Sequence, residues 1–320
     1  MTEKKHRKVS VKKMSLFNFK KDSETEPTPN LENLLKNYSI EVMPRTAEKI
    51  ESFSNLLPKG TRVYIAHIEG TPIEDMIKTA VRLTDANYEV MPHFPARIIK
   101  NKKMLSDWIN RYRDEANVDQ ALVLAGGIPN AIGDFDSSIQ LIETGLFDKA
   151  GFKRIHFAGH PEGNKDIDPD GTFNNVNQAL EWKQNYSDQT SATVCLTTQF
   201  SFDAKPILKW TSDLTDMGIT LPVHIGVAGP AKLQTLLKFA IECGVGASLG
   251  VLKKRARDIT KLLLPYEPTE FLNQLEIERL HQSSFNIEQV HFFPLGGIKT
   301  NALWVSDNGG KSGIPAVSKN

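Results

Sequence analysis

Only two cysteines occur in the 320 residues, too few for the disulfide framework of a small secreted domain. Cys195 lies inside an apolar run and Cys243 near the end of a helical pattern. Neither has a CxxC partner or a histidine at metal-ligand spacing, so both read as reduced core thiols. No run of about 18 apolar residues is present, so no membrane span is expected, and the N-terminus carries no apolar segment of the secretory type. A cytoplasmic location is therefore expected. Charge of one sign is also missing: 39 Lys and Arg balance 38 Asp and Glu, a formal net charge of +1. That leaves no global field to gather nucleic acid or an anionic membrane. A small molecule is the expected partner, and a homo-oligomer stays open.

Hydrophobic residues make up 40% of the chain and charged residues 24%, enough for one large core. The ends are different. Residues 1–30, with the basic cluster "KKHRKVSVKK" followed by "DSETEPTPN", are polar and poor in aromatics, and read as a disordered charged tail. Residues 306–320 read as a flexible C-terminal tail. Between them, short β-branched runs alternate with longer amphipathic stretches, the pattern of repeated βα units on a parallel sheet. Eight strands are predicted: Ser39 to Met43, Arg62 to His67, Glu89 to Pro92, Gln120 to Ala125, Arg154 to Ala158, Thr193 to Gln199, Pro222 to Gly226 and Gln289 to Phe293. "TPIE", Thr71 to Glu74, has the spacing of a capping box with proline at the first helical position. Asp203 is placed to cap the helix that follows strand six, and Pro230 to open the next. The stretch Gly244 to Phe285 is long enough for one or two extra helices before the eighth strand. Eight regular units predict a (β/α)8 TIM-type barrel over residues 31–305, with an open doubly wound sheet as the alternative.

In such a barrel the C-terminal strand ends form the site. Here those ends are polar: Glu41, His67, His93, the pair Gly126 and Gly127, His160, Gln199, then His224 and Gly226, and finally "FFPLGG". Singly, each histidine has a structural explanation and each glycine a turn. Together they describe a ligand-binding mouth. No HxH pair occurs and the eighth strand ends without an acid, so no metal is expected there. "LAGGIP" has neither the GxGxxG nor the GxxxxGK spacing. "GVAGP" and "LGGIKT" follow strands seven and eight, where backbone N–H groups and a helix start often hold phosphate; ordinary turns are the alternative.

"YSIEVMPRTAEKI" sets one carboxylate, Glu41, within an apolar strand. That segment, with "MPHF", "LAGGIP", "GHPEG", "TTQFSFD" and "VHFFPLG" in this order, resembles the methylenetetrahydrofolate reductase family of flavin-containing (β/α)8 barrels, over about residues 38 to 305. The resemblance implies that Glu41 is the general acid near N10 of the folate, its pKa raised by burial. Pairing with Arg45 or a barrel-mouth histidine is the structural alternative. It also implies that Gln199 hydrogen-bonds the pterin, and Leu233 falls near a family aromatic that covers folate and cofactor.

Several flavin-contact positions are replaced. Where the family commonly reads LRGD, this chain has Leu124, Ala125, Gly126 and Gly127. His160 stands where a flavin-stacking tyrosine is often found, and Asn164 where a histidine is; His93 is retained, and Asp134 or Asp136 could replace the lost acid. The resemblance therefore implies reduction of 5,10-methylenetetrahydrofolate by NAD(P)H, with FAD weakly bound or absent. The glycine turns Gly226 to Gly229 and Gly296 to Lys299 would then hold nicotinamide phosphates. Two alternatives stay open: a folate-binding protein without redox activity, and a folate-dependent one-carbon transferase.

Overall fold

The computed structural model describes residues 29–245, 249–257, 264–281 and 286–311. Eight strands close into an all-parallel barrel in sequence order: β1 Ser39–Val42, β2 Arg62–Ile65, β3 Glu89–Pro95, β4 Gln120–Leu124, β5 Arg154–Gly159, β6 Thr193–Ser201, β7 Val223–Ala228 and β8 Ile287–Phe293. The last strand pairs with the first, Ser39 opposite His291 and Ile40 opposite Phe292. Extra helices expected before β8 are present, and among the described residues they run over Leu249–Arg257 and Thr269–His281. The final helix ends at Asp307. The predicted tails lie outside the described residues up to 28 and from 312 onward.

Successive strand residues point to opposite faces, and the chain uses the two faces differently. Ile40, Val63, Ile65, Val90, Val123, Ile155, Phe157, Leu196, Ile225, Val290 and Phe292 belong to one continuous apolar core with the helices. Each such side chain contributes about 1.5–3 kcal/mol relative to exposure. The alternate residues face the barrel interior, where only a small apolar cluster of Tyr64, Met91 and Leu122 forms. Much of the remaining interior is polar: Ser39, His156, Thr197, His224 and His291 are all buried.

Three of the predicted local signals resolve differently. Pro72 is the N-cap of the helix Ile73–Asp85 rather than its first residue, with ψ 141°, and no side chain caps that helix. Thr71 is thus one position too early for a capping box. Pro230 does not open a helix, because Ala231 first pairs with Tyr266 and the helix begins at Leu233. Cys243 is exposed at that helix's end, whereas Cys195 is buried. Asp203 does cap its helix, accepting from the Lys205 N–H at 3.1 Å.

Candidate functional site

Glu41 enters the barrel because inward and outward residues alternate along β1. Its Oε2 lies 3.3 Å from His93 Nε2, on β3, and 3.9 Å from His291 Nε2, on β8. The other ring nitrogen of His291 sits 2.9 Å from Ser39 Oγ. The carboxyl's partners are thus histidines, not Arg45. The expected upward shift of its pKa is corrected as well. Burial pushes the pKa up, but the interactions with His291 and His93 outweigh it and hold the group below its ordinary value, at about 2. Glu41 is therefore ionised at neutral pH. Burial has the opposite effect on His291 and holds its pKa below the ordinary value, against the pull of Glu41.

Beneath this acid, a hydrogen-bonded group crosses the barrel. Tyr64 Oη, from β2, is 2.7 Å from His156 Nδ1 on β5 and 3.3 Å from Thr197 Oγ1 on β6. The His156 Nδ1 to Thr197 Oγ1 distance is 2.9 Å. The Tyr64 ring also packs on His291 with centroids 4.1 Å apart, so the floor of the site is continuous with the histidine that faces Glu41. His156 and His291 escape a reading of strand ends alone. The alternation in "RIHFAG" and "QVHFF" is the signal that puts both inside.

Gln199 is exposed near the C-terminal end of β6. Its amide oxygen accepts from the Phe200 N–H at 3.0 Å, where the β6 to β7 register shifts between Thr197 and Phe200. Gly226 makes this shift possible: a Cβ there would lie 2.5 Å from the Gln199 carbonyl. Glu41 and His93 are brought together, and so are His160 and Asn164, 3.5 Å apart. Burial, then the nearby Lys183 charge, lowers the His160 pKa to about 3.

Other predicted site residues are committed to contacts of their own. His67 is buried in a helix joint, its Nε2 3.0 Å from the Thr71 carbonyl and its ring stacked on Trp108. Leu233 is 3% exposed within an apolar cluster that includes Phe200, Phe202 and Tyr266. His224 is the second residue of β7, deep in the barrel, and pairs with Glu288 at 2.7 Å.

The loop that carries Gly126 and Gly127 is tied down by Arg97. This side chain donates to the Ile128 carbonyl at 3.0 Å and meets Asp136 and Asp166, each at 2.8 Å. Asp136 is thus committed to an arginine. Gly126 adopts φ +107°, with Pro95 Cβ only 3.1 Å from where a side chain would start, a backbone state suited to glycine. Three backbone donors of the expected phosphate turns are also committed. Gly226 N donates to Thr198 Oγ1, Gly229 N to the Phe293 carbonyl and Gly297 N to the Pro294 carbonyl, at 2.8, 2.9 and 2.8 Å. A Cβ on Gly296 would lie 2.0 Å from the Pro230 carbonyl, so the two turns pack on each other.

No known family profile matches the chain. Among solved structures, the fold is similar to that of an uncharacterised protein from Clostridium thermocellum described as binding two copies of 5-methyl-5,6,7,8-tetrahydrofolic acid. The TM-score is 0.53 at 12% identity, over 85% of this chain and 94% of that one. This likeness establishes a shared barrel fold. Among the described residues, no helix is long and apolar enough to cross a membrane.

Proposed function

We propose that the chain is a folate-dependent oxidoreductase that reduces 5,10-methylenetetrahydrofolate to 5-methyltetrahydrofolate, with NAD(P)H as hydride donor. The observation that carries this reading is Glu41, a carboxylate held between His93 and His291 at the barrel mouth. Its place within the motif resemblance and the folate bound by a protein of similar fold give the substrate class.

In this reading the folate lies over the mouth, with Gln199 turning from Phe200 N to the pterin. As the folate closes over the mouth, Glu41 takes up a proton from solvent and delivers it to N10 as the N10–methylene bond breaks, leaving an iminium at N5. Hydride from NAD(P)H adds to the methylene carbon, giving the methyl product and NAD(P)+. Closure of the folate over the mouth expels water and raises the proton affinity of the carboxylate, the change that the acid role requires of a group ionised in the open site.

FAD does not fit the residues present. Ala125 and Gly127 offer no side-chain donors, and Arg97 and Asp136 hold each other. The reading therefore takes the hydride directly from nicotinamide to folate. A folate-binding protein without redox chemistry is the second reading, favoured by the likeness to a protein described only as binding a folate.

The test is an assay of the purified full chain with methylenetetrahydrofolate and NADH or NADPH, followed by nicotinamide absorbance, with a visible spectrum and FAD titration alongside. Turnover by a colourless preparation, unchanged by FAD, is the expected result. Folate binding without nicotinamide oxidation would leave the carrier reading. A yellow protein with near-stoichiometric FAD would restore a flavin route.

A further inference from the structure

Away from the mouth, toward the N-terminal end of the barrel, three soft or borderline ligands converge from adjacent strands. His156 of β5 is opposite Cys195 of β6, and His224 of β7 is opposite Thr197 of β6. One ring nitrogen of each histidine and Cys195 Sγ all lie within 4.8 Å of one another. The two imidazole rings meet edge to face with centroids 4.6 Å apart. All three residues are fully buried.

The hydrogen bonding around them has a direction. His156 spends Nδ1 on Tyr64 and Thr197, and His224 spends Nε2 on the Glu288 carboxylate. The remaining nitrogens, His156 Nε2 and His224 Nδ1, are buried with no hydrogen-bond partner. Leaving such an atom unpaired costs about 1–3 kcal/mol, and here there are two in one place. An outer nitrogen fixed by a carboxylate or hydroxyl and an inner nitrogen left open is the usual arrangement of a metal-binding histidine.

The geometry points to a zinc site in the barrel interior, ligated by His156, Cys195 and His224, with Glu288, Tyr64 and Thr197 orienting the imidazoles. This site lies beneath Glu41, joined to it through Tyr64 and His291, and its ligands come from three different strands rather than from an HxH pair. Two nitrogens and a thiolate suit Zn2+ better than a hard cation. Bonds of about 2.0–2.3 Å require ligand atoms roughly 3.5 Å apart, so the three need draw together by no more than about 1 Å, within reach of small side-chain rotations. On binding, the Cys195 thiol loses its proton to solvent and the sulfur becomes the third ligand. The charge of Arg154 and Arg62 acts on both histidines and opposes a cation. The thiolate, Glu288 and Glu89, which pairs with Arg62, offset it, and Arg154 already donates to Sγ at 3.1 Å. Three strands would be tied together by the ion, with water taking the fourth position of a tetrahedral site.

The full chain, stripped with a chelator and dialysed against Zn2+, should retain one zinc per chain and melt at a higher temperature than the stripped protein. Co2+ in place of zinc should give a near-ultraviolet thiolate-to-cobalt band that persists in Cys243→Ser and disappears in Cys195→Ser. Glu288→Gln should weaken binding by roughly 10- to 100-fold. If wild-type protein retains no zinc, or binds Co2+ without the thiolate band, the proposal fails. These wild-type outcomes decide the matter even if Cys195→Ser does not fold.

Discussion

Glu41 reaches across the closure of the barrel to His291, Oε2 to Nε2 at 3.9 Å, where β1 pairs with β8. The joint that completes the fold is therefore also the place where the acid is held. Replacing Glu41 bears on chemistry and closure together, and the two are separable. Glu41→Gln keeps the shape and removes the charge. Turnover of methylenetetrahydrofolate should fall by roughly 10²-fold or more, the scale for loss of a positioned proton donor, with folate affinity changed little. Steady-state rates and calorimetry on the same preparation check this; near wild-type turnover would remove Glu41 from the reaction.

Gln199→Ala should weaken folate binding by about 1–3 kcal/mol, the range for stranding a polar partner. The free protein should lose little stability, because this side chain is exposed and its amide bonds the next residue of its own strand. Unchanged affinity in a folded variant would exclude Gln199 from pterin contact.

Gly226→Ala should cost stability rather than affinity alone. The new methyl would fall 2.5 Å from the Gln199 backbone, and overpacking of this kind costs about 1–3 kcal/mol or more. A lowered urea midpoint is the expected readout, accompanied by weaker folate binding as β6 is displaced. A midpoint equal to that of the wild type would mean that the two strands are more loosely apposed than the structure places them.

Acid should destabilise the fold in two stages. His67 and His160 have pKa values of about 4 and 3, both lowered first by burial; the contact with Thr71 raises the first, and the charge of Lys183 lowers the second further. His291 is also lowered by burial, with Glu41 pulling the other way. An unfolded chain takes up these protons near pH 6.5 and the folded one only lower, so stability is lost as pH falls through that interval. A difference of two protons corresponds to about 3 kcal/mol per pH unit. Glu41 adds a second stage: its pairing stabilises the fold above the ordinary carboxyl value of 4.5 and is lost as pH falls toward 2. Urea titrations from pH 7 to about 4 should show the first slope, and a flat profile would contradict it.

The barrel was legible because β-branched runs and their intervals depend on local chemistry. Seven of the eight predicted strands begin within one residue of the observed ones, and even β8 is displaced by only two. Glu41 and its placement inside the barrel were legible for the same reason. The direction of its pKa was not: burial can be inferred from neighbours in the chain, but His93 and His291 arrive from β3 and β8. His224 was misplaced because β7 runs two residues beyond Gly226, to Ala228. What looked like a strand end is its beginning. The commitments of Arg97, Asp136 and the glycine turns are long-range as well, set by loops that meet only after the barrel has closed.

The stacking of His67 on Trp108, with ring centroids 4.7 Å apart and planes 28° from parallel, gives the molecule an optical reporter of its own. An indole this close to an imidazole emits differently from one facing only aliphatic neighbours. The joint between β2 and the helix Lys102–Ala116 can therefore be followed without a dye, by the brightness of a single one of the four tryptophans.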